Sequence, residues 1–115
     1  MGIDNDSRLS QFRKGVVELA ILALLHGGEA YGGEIVERLG SHPGLAISAG
    51  TVYPLLSRLK KAGLIESAWR ESPVGPPRKY YRLTSAGGTE YKAMAAAWDG
   101  VTEAMDELLS KGVSR

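Results

Sequence analysis

Side chains suited to covalent or metal chemistry are scarce in this chain. It has no cysteine, which excludes disulfides and thiolate metal sites and fits a reducing compartment. Its two histidines, His26 and His42, stand before a glycine pair and a proline, the surroundings of a helix end and a turn, and no four-ligand zinc set is apparent. The glycine pairs at 27–28, 32–33 and 87–88 have neither the lysine of a phosphate loop nor dinucleotide spacing. No serine stands in a nucleophile-elbow sequence. Neither catalysis nor a metal or cofactor is therefore expected. What the chain does concentrate is positive charge. Between Arg58 and Arg82 lie seven basic residues (Arg58, Lys60, Lys61, Arg70, Arg78, Lys79, Arg82) and two acidic ones (Glu66, Glu71), a net of +5 in a chain whose total is +1. From Ser85 to Arg115 the balance is three basic to five acidic residues. A basic middle and an acidic end suggest two tasks, and binding a polyanion is the chemistry open to the first; a solvated charged surface is the plain alternative.

The elements that must carry these charges follow from periodicity. At 115 residues there is chain for one modest core. Met1 to Arg8 is polar, and residues 1–9 read as a flexible end. A first helix is expected from about Ser10 to His26, dense in apolar residues such as Phe12, Val16, Leu19, Ala20 and Leu24, and stopped by Gly27-Gly28. A second runs from about Tyr31 to Leu39, with Tyr31, Ile35, Val36 and Leu39 on one face, and breaks over Gly40 to Gly44. The third starts at Ser48, whose hydroxyl is suited to capping, and Gly63 closes it. Val52, Leu55, Leu56 and Leu59 form its apolar stripe; Gly50, Pro54, Ser57 and Lys61 lie opposite, flanked by Thr51, Tyr53, Arg58 and Lys60. Pro54 falls near enough to the start to be tolerated. Two strands follow, Leu64 to Glu71 and Lys79 to Leu83, joined by Ser72–Pro77 as a stiff, irregular tip. Thr84 caps a last helix to about Lys111, weakened in its first turn by Gly88. Along it Tyr91, Met94, Trp98, Val101, Met105 and Leu108 recur at heptad spacing, a seam suited to a partner subunit.

Three helices and a basic hairpin, in that order, match a winged helix-turn-helix: mainly α with a small β-hairpin, here followed by a long dimerisation helix. The expected organisation is a flexible segment 1–9, a winged DNA-binding unit 10–84 and a dimerisation helix 85–115. A B-form major groove admits one helix, so the third helix would bury its stripe and offer its other face to double-stranded DNA. Small residues at its start (Ser48, Gly50) permit close approach, Thr51, Tyr53 and Ser57 can bond base edges or phosphates, and Arg58, Lys60 and Lys61 mainly phosphates. A winged domain that binds protein and no DNA is the rival reading.

The stretch Gly50-Thr51-Val52-Tyr53-Pro54-Leu55-Leu56-Ser57-Arg58-Leu59 with Gly63-Leu64-Ile65 closely resembles the recognition segment of the PadR family of bacterial transcriptional regulators. Gly75-Pro76-Pro77-Arg78-Lys79-Tyr80-Tyr81-Arg82-Leu83-Thr84 with Gly87 resembles that family's wing and the start of its last helix. Arg13-Lys14-Gly15, Tyr31-Gly32 and Glu34-Ile35 fit as well, so the similarity spans roughly Gln11 to Leu109. The resemblance implies a homodimer of the short-helix subgroup that binds a palindromic operator and usually represses transcription. It also implies recognition-helix contacts from Thr51, Tyr53, Ser57 and Arg58, wing contacts from Arg78 and Lys79, and phosphate contacts from Arg13 and Lys14. Tyr80 and Tyr81 are expected to pack the wing onto the body.

Trp98 either fills the dimer seam or, with its symmetry mate, flanks a pocket for a flat aromatic ligand, as the resemblance to short family members implies. Ala95, Ala96 and Ala97 would leave room there, and Asp99 and Glu103 would favour a cationic compound. Met94 and Met105 read first as adaptable packing. The longest apolar run, Val16 to Leu25, is interrupted by Glu18 and falls short of the about 20 residues of a bilayer span. With no signal-peptide pattern at the start, a cytoplasmic protein without a membrane partner is expected.

Overall fold

A computed structural model describes residues 16–45 and 47–113, with side chains as far as 110. The start of the first expected helix and the candidates Arg13 and Lys14 lie outside the described residues. The elements are α1 (Val17–His26), β1 (Ala30–Tyr31), α2 (Gly32–Gly40), α3 (Ala49–Lys61), β2 (Ile65–Ser72), β3 (Gly75–Leu83) and α4 (Ser85–Val113). The strands form one antiparallel sheet in the order β1-β3-β2.

The core is built from one face of each short helix. α3 contributes Val52, Leu56 and Leu59, three members of the stripe its spacing predicts; Leu55 is half-buried at the edge. α2 contributes Ile35 and Leu39. α1 is apolar nearly all round, so periodicity did not select its buried face, which is Val17, Ile21, Leu22 and Leu25; Leu19, Ala20 and Leu24 are only half-buried. Ile65 and Tyr81 close the core from the sheet.

Four local expectations need correction. Tyr31 is not helical: it ends a two-residue strand in which Ala30 pairs with Tyr81 and Tyr31 with Tyr80. A strand this short has no periodicity to read. Tyr31 then stands as the extended N-cap of α2, its amide donating to Glu34 at 3.4 Å. The hairpin is longer than expected, because Ser72 and Gly75 pair and only Pro73 and Val74 turn. Between the pairs Arg70–Arg78 and Ser72–Gly75, the single residue Glu71 faces both Pro76 and Pro77. Such a bulge leaves positions without a ladder bond, which is where proline is tolerated in a strand. Ser48 is the N-cap of α3 by backbone geometry, yet its hydroxyl makes no cap bond; its carbonyl takes the amides of Thr51 and Val52, both at 3.0 Å. Tyr80 and Tyr81 do not share a task, since neighbours on a strand point to opposite faces: Tyr81 is buried in the core and Tyr80 lies half-exposed on the outer face.

Thr84 does cap the last helix. Its hydroxyl accepts the Gly87 amide at 3.0 Å and donates to the Gly63 carbonyl at 2.6 Å, while its own amide donates to Leu64 at 3.1 Å. Gly63, at φ +79°, makes the sharp turn out of α3 that this contact needs. The first turn of α4 therefore sits directly on the α3–β2 turn. A Cβ at Gly87 would come within 2.9 Å of the Leu64 carbonyl carbon and closer to its oxygen, whereas Gly88 faces open space. Adjacent glycines should thus respond oppositely to alanine. Gly87→Ala is expected to lose about 2 kcal/mol or more, because backbone must move, and Gly88→Ala to gain about 0.5–1 kcal/mol from helix propensity; urea unfolding of both variants checks the signs.

Candidate nucleic-acid interface

The face of α3 turned away from the core is an open polar surface. Gly50, Thr51, Tyr53, Pro54, Ser57, Arg58, Lys60 and Lys61 are all exposed, as is the cap residue Ser48. Pro54 has no amide to give the carbonyl one turn back, that of Gly50, so an acceptor is left at the start of this face. Tyr53 is 44% exposed. Its ring rests on Gly32 in the first turn of α2, where a Cβ would lie 2.8 Å from a ring carbon and 3.0 Å from the hydroxyl. Glycine at position 32 is thus what lets the Tyr53 ring approach the start of α2 so closely.

The wing meets this surface through one side only. Lys79 pairs in register with Trp69 and sits two residues from Tyr81, so all three share the inner face of the sheet. The Lys79 ammonium lies 5.8 Å from the centre of the Trp69 ring and 5.9 Å from that of Tyr81. Ser57, Lys60, Lys61 and Lys79 together line a crevice between α3 and β3. Arg78, one residue earlier, is on the outer face with its guanidinium 4.3 Å above the Tyr31 ring. Tyr31 meets Tyr80 edge-on at 5.5 Å, and Arg70 covers Tyr80 at 4.4 Å while binding Glu29 at 2.5 Å. That hydrogen bond raises the Arg70 pKa further, so this charge is permanent.

Structure therefore sorts the seven cations that the sequence presents alike. Arg58 is paired with Glu18 of α1, Arg70 with Glu29, and Arg82 with Glu66 at 2.6 Å, while Arg78 stacks on Tyr31. Among the described residues, the three lysines have no carboxylate partner, and all three border the α3–wing crevice. Ammonium groups so placed can neutralise phosphates, and the α3 face between them can enter a groove.

The chain matches the transcriptional regulator PadR-like family over residues 21–93. A transcriptional regulator of Mycobacterium tuberculosis is 37% identical over 79 residues, which cover 69% of this chain and 72% of that one. The crystal structure of a PadR-like transcriptional regulator from Bacillus cereus superposes with a TM-score of 0.79 at 37% identity, covering 86% of this chain and 96% of that one. Bacillus subtilis PadR in complex with operator DNA superposes with a TM-score of 0.63 at 28% identity, over 70% of this chain and 46% of that one. The chain belongs to the PadR-like family. It is a transcriptional regulator with a DNA-binding winged helix, as the resemblance in its recognition and wing segments implied.

In this PadR-like chain the heptad seam divides in two. Tyr91 stacks on His26 of α1, centroids 4.5 Å apart, and Met94 packs against the core, so both are half-covered by their own chain. Trp98, Val101, Met105 and Leu108 remain 44–61% exposed, joined by Leu109. Trp98 lines a shallow apolar groove with Leu19, Met94, Ala97 and Val101; Asp99 is exposed and outside that lining. His42 is exposed in the turn after α2, and among the described residues no cluster of ligands could hold a metal ion. No helix among them is long and apolar enough to cross a membrane.

Glu18 and Trp69 are candidate-site residues that sequence reading passed over, and Gly32 entered it only through the family resemblance. Each acts through a residue distant in sequence, and only the hairpin alternation that pairs Trp69 with Lys79 left a readable trace. Burial, and secondarily the nearby phenol of Tyr53, raises the Tyr81 pKa above its ordinary value of 10.0. The native state thus keeps this proton after the unfolded chain releases it. The resulting stability is intact below about pH 10 and is lost as pH rises through the native pKa. Tyr81→Phe removes this linkage, so its urea midpoint should fall less steeply than wild type above about pH 10.

Proposed function

We propose that the protein is a repressor that acts as a homodimer on a palindromic operator and releases it in response to a flat aromatic ligand. The observation that carries the DNA half of this reading is the convergence of Lys60, Lys61 and Lys79, free of carboxylate partners among the described residues, beside the open face of α3. In this reading the winged unit 10–84 reads DNA and segment 85–115 joins the subunits. Thr51, Tyr53, Ser57 and Arg58 meet base edges and phosphates, with Ser48, Gly50 and Pro54 allowing close approach. Lys60, Lys61 and Lys79 hold the backbone from the crevice and Arg78 from the outer face of the wing, with Arg13 and Lys14 adding contacts from the N-terminal end. Two recognition helices would enter successive major grooves about 34–36 Å apart.

The apolar strip of α4 supports the homodimer. Trp98, Val101, Met105 and Leu108 on one stripe would be an expensive surface to leave in water, and a second copy of the same stripe covers it. The groove beside Trp98 supports the ligand, which would stack between the two indoles. Trp98→Ala should abolish the ligand response of a dimer that remains intact; an unchanged response removes the ligand from the reading.

Titration of the protein with its own upstream DNA, against unrelated competitor and across salt, tests the core of the proposal. Tyr53→Ala should weaken specific binding roughly tenfold, the scale of one base contact. Lys79→Ala should instead flatten the plot of log K against log salt by about 0.9, the counterion release of one phosphate. Absence of binding to any duplex at low salt would leave a protein-interaction module in place of the repressor. Met105→Glu should give monomers in sedimentation and a parallel loss of operator affinity.

A further inference from the structure

Trp69 has no task in this scheme, and its position is unusual. It lies on the inner face of the wing, in register with Lys79, and is 67% exposed, against 44% for Tyr53 and Trp98. Two pairs toward the base of the same face, Ile65 and Leu83 are covered by the body, and Tyr81 between them is buried. The face thus emerges from the core and ends in a bare indole. An exposed indole is a costly surface in water, and nothing among the described residues buries this one.

Its neighbours limit what can cover it. Lys79 is within 5.8 Å of the ring, and Lys79 joins Lys60, Lys61 and the Ser57 hydroxyl around the adjoining crevice. An apolar plate with one ammonium beside it, and two more around the crevice that this lysine also lines, suits a ligand that alternates apolar and anionic parts over a few ångströms. A nucleic-acid backbone does so, with deoxyribose rings between phosphates. We propose that Trp69 is a DNA contact of the wing, packing its indole on a deoxyribose while Lys79 and the α3 lysines hold the flanking phosphates. Lys79 then serves twice, since its ammonium both binds phosphate and fixes the ring beneath the sugar. The inference rests on the DNA-binding reading and adds a residue and an apolar component to it.

A sugar contact is independent of sequence, so a short duplex of arbitrary sequence at low salt is a sufficient probe. Covering about a third of the indole corresponds to roughly a tenfold change in Kd. Trp69→Ala should therefore raise Kd about tenfold at every salt concentration with the salt slope unchanged, whereas Lys79→Ala should reduce the slope by about 0.9. Fluorine spectra of the full chain labelled with 5-fluorotryptophan read the contact without relying on that variant. The two tryptophans give two resonances, assigned with Trp69→Phe, and the Trp69 line should move when the duplex is added. A Trp69 line unmoved by saturating DNA overturns the proposal, as does a folded Trp69→Ala protein whose Kd stays within about twofold of wild type. Wild-type protein that binds no duplex at all overturns the DNA reading itself, an outcome distinct from normal binding with an indifferent Trp69.

Discussion

The geometry of the whole molecule hangs on the contact between the turn after α3 and the start of α4. Thr84 donates its hydroxyl to Gly63, donates its amide to Leu64 and accepts the amide of Gly87. One residue thereby ties the turn between α3 and β2 to the end of β3 and the first turn of α4. Backbone groups that would otherwise be orphaned at a helix end and a tight turn satisfy each other. Because Ile65 pairs with Leu83 immediately beyond the junction, the hairpin leaves the body at a fixed angle to α3. The approach is close enough that position 87 has no room for a Cβ.

With that angle fixed, the charges divide by chemistry as well as by position. Guanidinium groups are planar and stack on rings or bond carboxylates, and the arginines at 58, 70, 78 and 82 do one or both. These contacts brace α1 against α3 and β1 against the wing. They are exposed pairs of small individual worth, so an arginine can exchange its carboxylate for a phosphate at little cost. Lysines are compact, hydrated charges with little to gain from such bracing, and three of them gather at the crevice. A total charge of +1 thus coexists with a strongly polarised surface.

α4 serves two masters along its length. Its first turns, through Tyr91 and Met94, complete the core of their own chain, and its later turns carry an apolar stripe past the edge of that core. The molecule measures 58 × 34 × 22 Å, long in one direction for its size. Subunit association through the later turns would act on a helix whose first turn is bonded to the base of the wing. The later apolar turns and the base of the wing are thus joined by one uninterrupted helix.

Much of this was legible in the residues because it is local. The stripe of Val52, Leu56 and Leu59 identified α3 and hence its outward face; Gly63 and Thr84 marked helix boundaries; the clustering of cations marked the candidate interface. Helical periodicity and capping depend on neighbours within a turn, so sequence by itself determined them. The two-residue strand β1, the stacking of Tyr91 on His26, the pairing of Arg58 with Glu18 and the fit of Tyr53 over Gly32 were decided only by tertiary structure. Each joins residues that are far apart in the chain, or too few to form a pattern. Which cations have a carboxylate or ring partner among the described residues was decided in the same way, because the group that engages an arginine is chosen by how the elements pack and not by what stands next to it in sequence.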